Sequence, residues 1–348
     1  MADGTKIEWA EATANYVNGC SLASPGCTNC YAMRLAGTRL KNVPSRAGLT
    51  QDSKAGPVWT GEVRENPKVL SEVLGWKRRR AIFWNAHGDL FYENVPDERI
   101  DKQFAVMALT PQHRHMVLTK RSARMREYVT ELRDSGRWLL LRHPKHGHSI
   151  FDPIAAQFDV MFRNVWLGVS VEDQRRADER IPDLLATPAS IRFISAEPLL
   201  GPVDLTKIEL GAAWQRNALT GLRTHPIHNP ATGHSLDWVI VGGESGPGAR
   251  PMHPAWARSL RDQCEAAGVA FHFKQWGAWI SAGVRPAGES GKFAMLAQDA
   301  LGWSHCSPIY LDHYPRQFDA FGSIILEHVG KKRAGRLLDG VEHDGVPS

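Results

Sequence analysis

The sequence predicts an α/β fold in which six parallel strands alternate with helices and close into a barrel or partial barrel. Three observations carry this. Short apolar, β-branched or aromatic runs stand at residues 81–85, 116–119, 165–170, 191–195, 238–242 and 270–274. Between them, stretches of helical periodicity span 97–109, opened by Pro96, then 122–133, 174–185 and 254–267, the last stopped by Gly268. Finally, nearly every run ends in polar residues: Asn85 and Asp89, Thr119-Lys120-Arg121, Ser170 with Glu172-Asp173, Ser195 with Glu197, Gly243-Glu244-Ser245, and Lys274-Gln275-Trp276. Parallel strands need right-handed crossovers, and in barrels the functional groups stand at the C-terminal strand ends.

Taken in order, residues 1–80 are rich in Gly, Pro, Asn and Thr and read as loops with a helix or two wrapped on the core. Residues 81–280 form the barrel core, interrupted near 136–157 by the histidine-rich Arg142–His148 stretch and near 205–236 by a segment with little periodicity, read as an insertion or lid. Residues 281–348 form a C-terminal extension, with a tail expected to be disordered from about 339. The chain has 348 residues, 43% hydrophobic and 23% charged, which excludes collagen, coiled coil and global disorder. No apolar run reaches the roughly 18 residues of a membrane span, and the N-terminus lacks a signal-peptide pattern, so a cytoplasmic location with no membrane partner is expected. The formal net charge of +5 modestly favours an anionic partner.

Three of the five cysteines fall within eleven residues, at Cys20, Cys27 and Cys30, in a loop made compact by Gly19, Pro25 and Gly26. Clustered cysteines in a large chain without an export signal point to a metal rather than to disulfides. Thiolates are soft ligands that suit zinc and iron–sulfur clusters. A structural zinc wants a fourth ligand, for which His87 or a more distant residue would fold back. Three cysteines on an iron–sulfur cluster leave one iron open to an exogenous ligand.

Two strand ends share one design, Ser170-Val171-Glu172 and Ser195-Ala196-Glu197, where period-two alternation puts Ser and Glu on one face. Two inward carboxylates are costly unless bound to a ligand or ion-paired, with Lys120, Arg121, Arg192 or Lys274 as the available cations. Lys120, Arg121, Arg250 and Lys274 read as a cationic rim suited to phosphate or carboxylate. The run Val239–Gly246 is an apolar strand entering a glycine turn, without the spacing of a dinucleotide fingerprint. Of the twelve tryptophans, Trp9, Trp59, Trp84, Trp276 and Trp279 lie near these motifs, where they would stack on a base or fill the core, whereas Cys264 and Cys306 read as packing residues.

The cysteine loop, together with Ile7-Glu8-Trp9, Gly88-Asp89-Leu90-Phe91, Val117–Arg121, Trp166–Asp173, Arg192–Leu205, Trp238–Pro251, Phe273–Gly277 and Gly335–Gly340, resembles the phage-associated three-cysteine-motif family of radical-SAM-like proteins. The resemblance implies a partial TIM-type (βα)6-like barrel holding a 4Fe-4S cluster on Cys20, Cys27 and Cys30, with S-adenosylmethionine on the open iron. It casts Gly242, Gly243 and Glu244 as the turn that contacts S-adenosylmethionine; from the polar strand ends, Asn85, Asp89, Ser170 and Ser195 are the further candidates for cofactor binding. Among the same strand ends, the carboxylates Glu172 and Glu197 and the cations Lys120 and Lys274 are the candidates for catalysis. In the wider superfamily the commonest spacing is C-x3-C-x2-C with an aromatic before the last cysteine; here the first gap is six and Asn29 precedes Cys30.

The expected activity is reductive cleavage of S-adenosylmethionine in a bacterial or phage-encoded enzyme, directed at modification or repair of a nucleic acid or nucleotide. The alternative is a non-catalytic accessory protein with zinc or a cluster, or a redox sensor. The sequence leaves room for a partner protein.

Overall fold

A computed structural model describes residues 2–150, 157–283, 288–296, 308–315 and 323–347. Its centre is a seven-stranded parallel sheet in the order β1 (Ala12–Ala14), β2 (Ala81–Trp84), β3 (Arg114–Thr119), β4 (Val165–Ser170), β5 (Ile191–Ala196), β6 (Trp238–Gly242) and β7 (Ala270–Gln275). The short strand Ala2–Asp3 adds antiparallel to β1. Spatial order equals chain order, so each crossover lands on the next position, which is the topology of a partial barrel. Six of the seven strands stand where the apolar runs predict. The seventh, β1, is Ala-Thr-Ala, too short to show a period, and it pairs in parallel with β2 through Ala12↔Ile82 and Ala14↔Trp84.

By contact the chain divides into two compact units, Met1–Val169 with Arg180–Phe193, and Ser170–Glu179 with Ile194–Ser348. In the first, helix α1 (Tyr31–Gly37) packs on the hairpin Thr50–Ser53/Gly56–Trp59, and α2 (Pro67–Gly75) buries Val69, Leu70 and Val73. Helix α3 (Asp97–Leu109) buries Ile100, Gln103, Phe104 and Met107, the i, i+3, i+4, i+7 face of an amphipathic helix. Helix α4 (Ser122–Asp134) buries Met125, Tyr128, Val129 and Leu132 on the same spacing. The short α5 (Phe158–Met161) precedes β4, and α6 (Gln174–Ala186) follows it.

In the second unit, β6 and β7 pair in parallel from Trp238↔Ala270. Helix α7 (Pro254–Ala267) between them buries Trp256, Ala257, Leu260 and Cys264 and ends at the left-handed Gly268, so Cys264 is a packing residue as expected. Cys306 lies outside the described residues. The aperiodic insertion is a four-stranded antiparallel sheet of two- and three-residue strands, Ile208–Glu209, Gln215–Arg216, Leu222–Thr224 and Ala231–Thr232. The C-terminal extension is a second antiparallel sheet, containing Trp279–Ser281, Ser290–Leu296, Ile309–His313 and Ile324–His328.

The tail corrects an expectation. Instead of being disordered from about 339, it lies along β7: the Phe273 N–H donates to the His343 carbonyl at 2.9 Å, the Gly345 N–H to the Phe271 carbonyl at 3.0 Å, and Trp238 Nε1 to the Gly345 carbonyl at 2.7 Å. The physical reason is the edge position of β7, whose backbone groups need partners, helped by the Asp339 carboxylate that receives both Arg258 and Arg261 at 2.7 Å. Among the described residues no helix is long and apolar enough to cross a membrane.

Candidate metal centre and the polar strand ends

The cysteine loop leaves the short strand Val17–Asn18 at Gly19, whose φ of +94° and whose missing Cβ are both required, since a Cβ there would lie 2.1 Å from the Glu62 carbonyl oxygen. Gly19 bridges to Gly88, so the start of the cysteine loop is fixed against the loop that carries Asp89. A single 3-10 turn, Pro25–Cys27, and the start of α1 then bring the other two thiols round. Cys20 and Cys30 pack against the small apolar cluster of Ala32, Met33, Ala36, Leu49 and Trp59, which gives the loop a rigid backing.

All three cysteines are half-buried free thiols. Cys27 Sγ receives the Ala23 N–H at 3.5 Å and lies 4.0 Å from Ser24 Oγ, while the Cys20 thiol donates to the Ser21 carbonyl at 3.4 Å. Burial, with the Asp89 carboxylate and Cys27 beside it, pushes the Cys20 thiol up to about 12 despite the nearby Arg121. Burial and Cys27 also raise Cys30, against the backbone N–H groups of Met33 and Ala32 and the Lys120 ammonium, which favour its thiolate. Cys27 thus acts on both neighbours, and two cations, Arg121 at Cys20 and Lys120 at Cys30, oppose it. Without metal Cys20 and Cys30 are poor thiolates; a cation bound beside them would reverse that balance.

Asp89 organises the base of the site. Its Oδ1 accepts from the Phe91 N–H at 3.0 Å and from Thr119 Oγ1 at 2.6 Å, and its Oδ2 accepts from the Lys120 N–H at 3.0 Å. Arg121 is buried, 3.6 Å from Asp89 and from Glu93, and donates to Ser21 Oγ at 2.7 Å and to its carbonyl at 3.1 Å. Its guanidinium also stands over the Tyr92 ring at 5.1 Å. Burial alone would lower Arg121; Asp89, Cys20, Glu93 and Cys27 outweigh it and raise the group, so it stays charged beside the thiols. Asn85, in contrast, is structural: at φ +54° its Oδ1 accepts from the Val17 N–H at 2.9 Å and its Nδ2 donates to Gln103 Oε1 at 2.8 Å. His87, the suggested fourth ligand, has its Nδ1 taken by Arg46 at 2.9 and 3.1 Å, and burial with that guanidinium lowers it to about 4.

The second unit holds the other predicted residues, and there the paired reading of the carboxylates is the observed one for Glu197. Lys274 Nζ donates to its two oxygens at 2.8 and 2.9 Å, and Gln275 Nε2 to Oε1 at 3.1 Å. Glu172 is fully buried, and its backbone carbonyl accepts from Leu200 at 2.7 Å; Ser170 and Ser195 are buried, and the Ser195 carbonyl receives the Val171 N–H at 2.9 Å. Glu244 is held by Arg250 in a fork, with Nη2 to Oε1 at 2.6 Å and Nε to Oε2 at 2.9 Å, and accepts the Arg250 N–H at 2.8 Å. Arg250 and Lys274 are therefore paired cations rather than an open rim. Gly243 exists for close chain packing: a Cβ there would lie 2.0 Å from the Trp276 carbonyl oxygen, and at Gly242 one would lie 3.2 Å from the Glu197 carboxyl.

The tryptophans near the motifs are largely framework: Trp9, Trp59 and Trp84 are buried, Trp276 Nε1 donates to the Leu337 carbonyl at 2.9 Å, and Trp279 Nε1 to the Ala249 carbonyl at 2.7 Å. Sequence reasoning missed Gln103, whose place on the buried face of α3 between Ile100 and Phe104 is a signal that a polar partner awaits it. It also missed Ser21 as the link between the cysteine loop and Arg121, for which no sequence signal exists.

The thiol loop is thus a soft donor set with apolar backing and two cations facing it. Among the described residues no group of three or more His, Cys, Asp or Glu is gathered to hold a single metal ion. In an iron–sulfur cluster each cysteine ligates a different iron, so its ligand set is spread over a cage rather than drawn to one centre, and the loop's donor chemistry fits that group. Neither a curated protein nor a solved structure matches the chain. Its family is nevertheless defined: a profile for proteins of unknown function, DUF5131, matches residues 4–347, and the chain belongs to that family.

Proposed function

We propose that this protein is a radical-SAM-like enzyme whose cysteines Cys20, Cys27 and Cys30 hold a 4Fe-4S cluster. The observation that carries the reading is three free thiols in one short, backed loop, faced by the buried Arg121 and by Lys120. When bound, such a cluster supplies the electron for reductive cleavage of S-adenosylmethionine. The chain's own residues do the rest. Gly19 and Gly88 fix the loop's entry, and Arg121, locked by Asp89 and Ser21, would offset part of the negative charge of a cluster held there. The apolar cluster under Cys20 and Cys30 keeps one side of the site dry, which strengthens each of these charge interactions.

The substrate proposed is a nucleic acid or nucleotide, supported by the basic chain, with its formal charge of +5. The test is anaerobic purification followed by iron, sulfide and zinc analysis, then incubation with dithionite and S-adenosylmethionine. About four irons per chain and formation of 5′-deoxyadenosine are expected. One zinc and no iron would overturn the reading in favour of a structural thiolate site.

A further inference from the structure

The insertion between β5 and β6 carries a feature that the proposed activity does not use. Arg216 and Arg223 stand directly opposite one another on neighbouring antiparallel strands, where side chains lie about 5 Å apart and like charges repel. Burial and the Arg223 charge lower Arg216, and the Nε of each guanidinium is buried without a hydrogen-bond partner. Among the described residues neither forms an ion pair with a carboxylate. Two opposed, half-buried cations lacking a counter-ion are destabilising unless an anion joins them, and paired guanidiniums match a phosphodiester oxygen pair in a fork geometry.

Beside them is a set of rings. Trp214 has the Arg223 guanidinium over it at 5.1 Å and the His228 ring parallel to it within 4° at 5.6 Å; His225 lies 4.8 Å from Trp214 and 4.4 Å from His228. His225 is locked, since its Nδ1 accepts from the Ile227 N–H at 3.2 Å and its Nε2 donates to the Ala212 carbonyl at 3.1 Å. His228 is exposed, and the neighbouring Ile227 is 82% exposed, so the ring set ends on an open apolar surface. Guanidiniums next to stacked rings are what a strand with unpaired bases needs: charge for the backbone and flat faces for the bases. A duplex hides its bases, and a free phosphate has no use for the rings.

We infer that the insertion, through Arg216, Arg223, Trp214 and His228, binds single-stranded nucleic acid. None of these residues belongs to the cysteine loop, and the inference stands whether or not that loop holds a cluster. The experiment is fluorescence anisotropy with labelled oligo-dT and oligo-U of about twelve nucleotides, within the usual span of a single-strand site, over a series of salt concentrations. The full chain is compared with R216A/R223A, R216K/R223K and W214A variants. Removing two backbone contacts at about 0.7 each lowers the log–log salt slope by about 1.4, and an affinity loss of at least about tenfold is expected. The double lysine variant, which keeps the charge, retains the slope, and so separates loss of charge from loss of fold. W214A weakens binding about fivefold or more with the slope unchanged. Affinity and slope unaltered in R216A/R223A would overturn the inference, as would inorganic phosphate competing as effectively as the oligonucleotide.

Discussion

Replacing Lys274 by methionine tests whether Glu197 is held by the protein or left open for a ligand. The side chain of Lys274 is 13% exposed and that of Glu197 19%, with the charged atoms 2.8 Å apart. At that separation and an effective dielectric near 20, Coulomb's law gives about 6 kcal/mol of attraction before desolvation. Removing one partner of a fully buried pair typically costs about 3–5 kcal/mol, because the other charge is left uncompensated, and this partly buried pair lies at or below the lower end of that range. Gln275 still donates to Oε1 at 3.1 Å, which places K274M near the lower end, about 3 kcal/mol. The assay is urea unfolding of K274M, E197Q and the double variant. The double should be less destabilised than K274M alone, with a coupling of about 2–3 kcal/mol. A coupling below about 1 kcal/mol, the range of exposed ion pairs, would refute the claim that this carboxylate is internally committed and return Glu197 to the ligand-binding set.

Other expectations follow from the same contacts. His115 is fully buried between Trp84 Nε1, which donates to its Nδ1 at 3.0 Å, and Thr110; because Thr110 Oγ1 donates to Val106, the His115 proton sits on Nε2, and burial lowers the group to about 3. With His87 and His253 lowered to about 4, chiefly by burial, stability should be full above pH 6.5 and fall as pH drops through 6.5 towards those values. At pH 4.5 each contributes a loss of up to roughly 2–3 kcal/mol, read as a lower urea midpoint, and H115Q should remove part of the pH dependence. G243A should destabilise by about 3 kcal/mol or more, since backbone at Trp276 must move; the thermal midpoint checks it. R121M leaves Asp89 without its guanidinium and should therefore destabilise the fold by a few kcal/mol; in the fraction that remains folded by circular dichroism it should lower the iron retained after reconstitution, with C27A retaining least.

Much of the sheet was legible because strands buried on both faces are unbroken apolar runs, as Trp238–Gly242 is, and α3 and α7 showed their boundaries through Pro96 and Gly268. What stayed hidden depends on partners distant in sequence. The strand Ala12–Ala14 has meaning only beside β2, and the tail is ordered only because β7 offers an edge. The cysteine loop was visible from spacing, but its electrostatics were not, since Arg121 reaches Ser21 across 100 residues. The strand-end residues were identified as polar and internal, yet the ion pairs Lys274–Glu197 and Arg250–Glu244 show several of them holding one another. Polarity at a strand end does not by itself separate a ligand contact from an internal pair, because both satisfy the same buried charge.

The central claim is the three-thiolate cluster with an open iron. Its most direct test is the electron paramagnetic resonance spectrum of the anaerobically purified, reduced protein before and after adding S-adenosylmethionine. The expected result is the signal of a reduced 4Fe-4S cluster that shifts on addition, and that is absent from C27A. A protein with no cluster signal and one bound zinc, or a cluster signal that does not respond to S-adenosylmethionine, would contradict it.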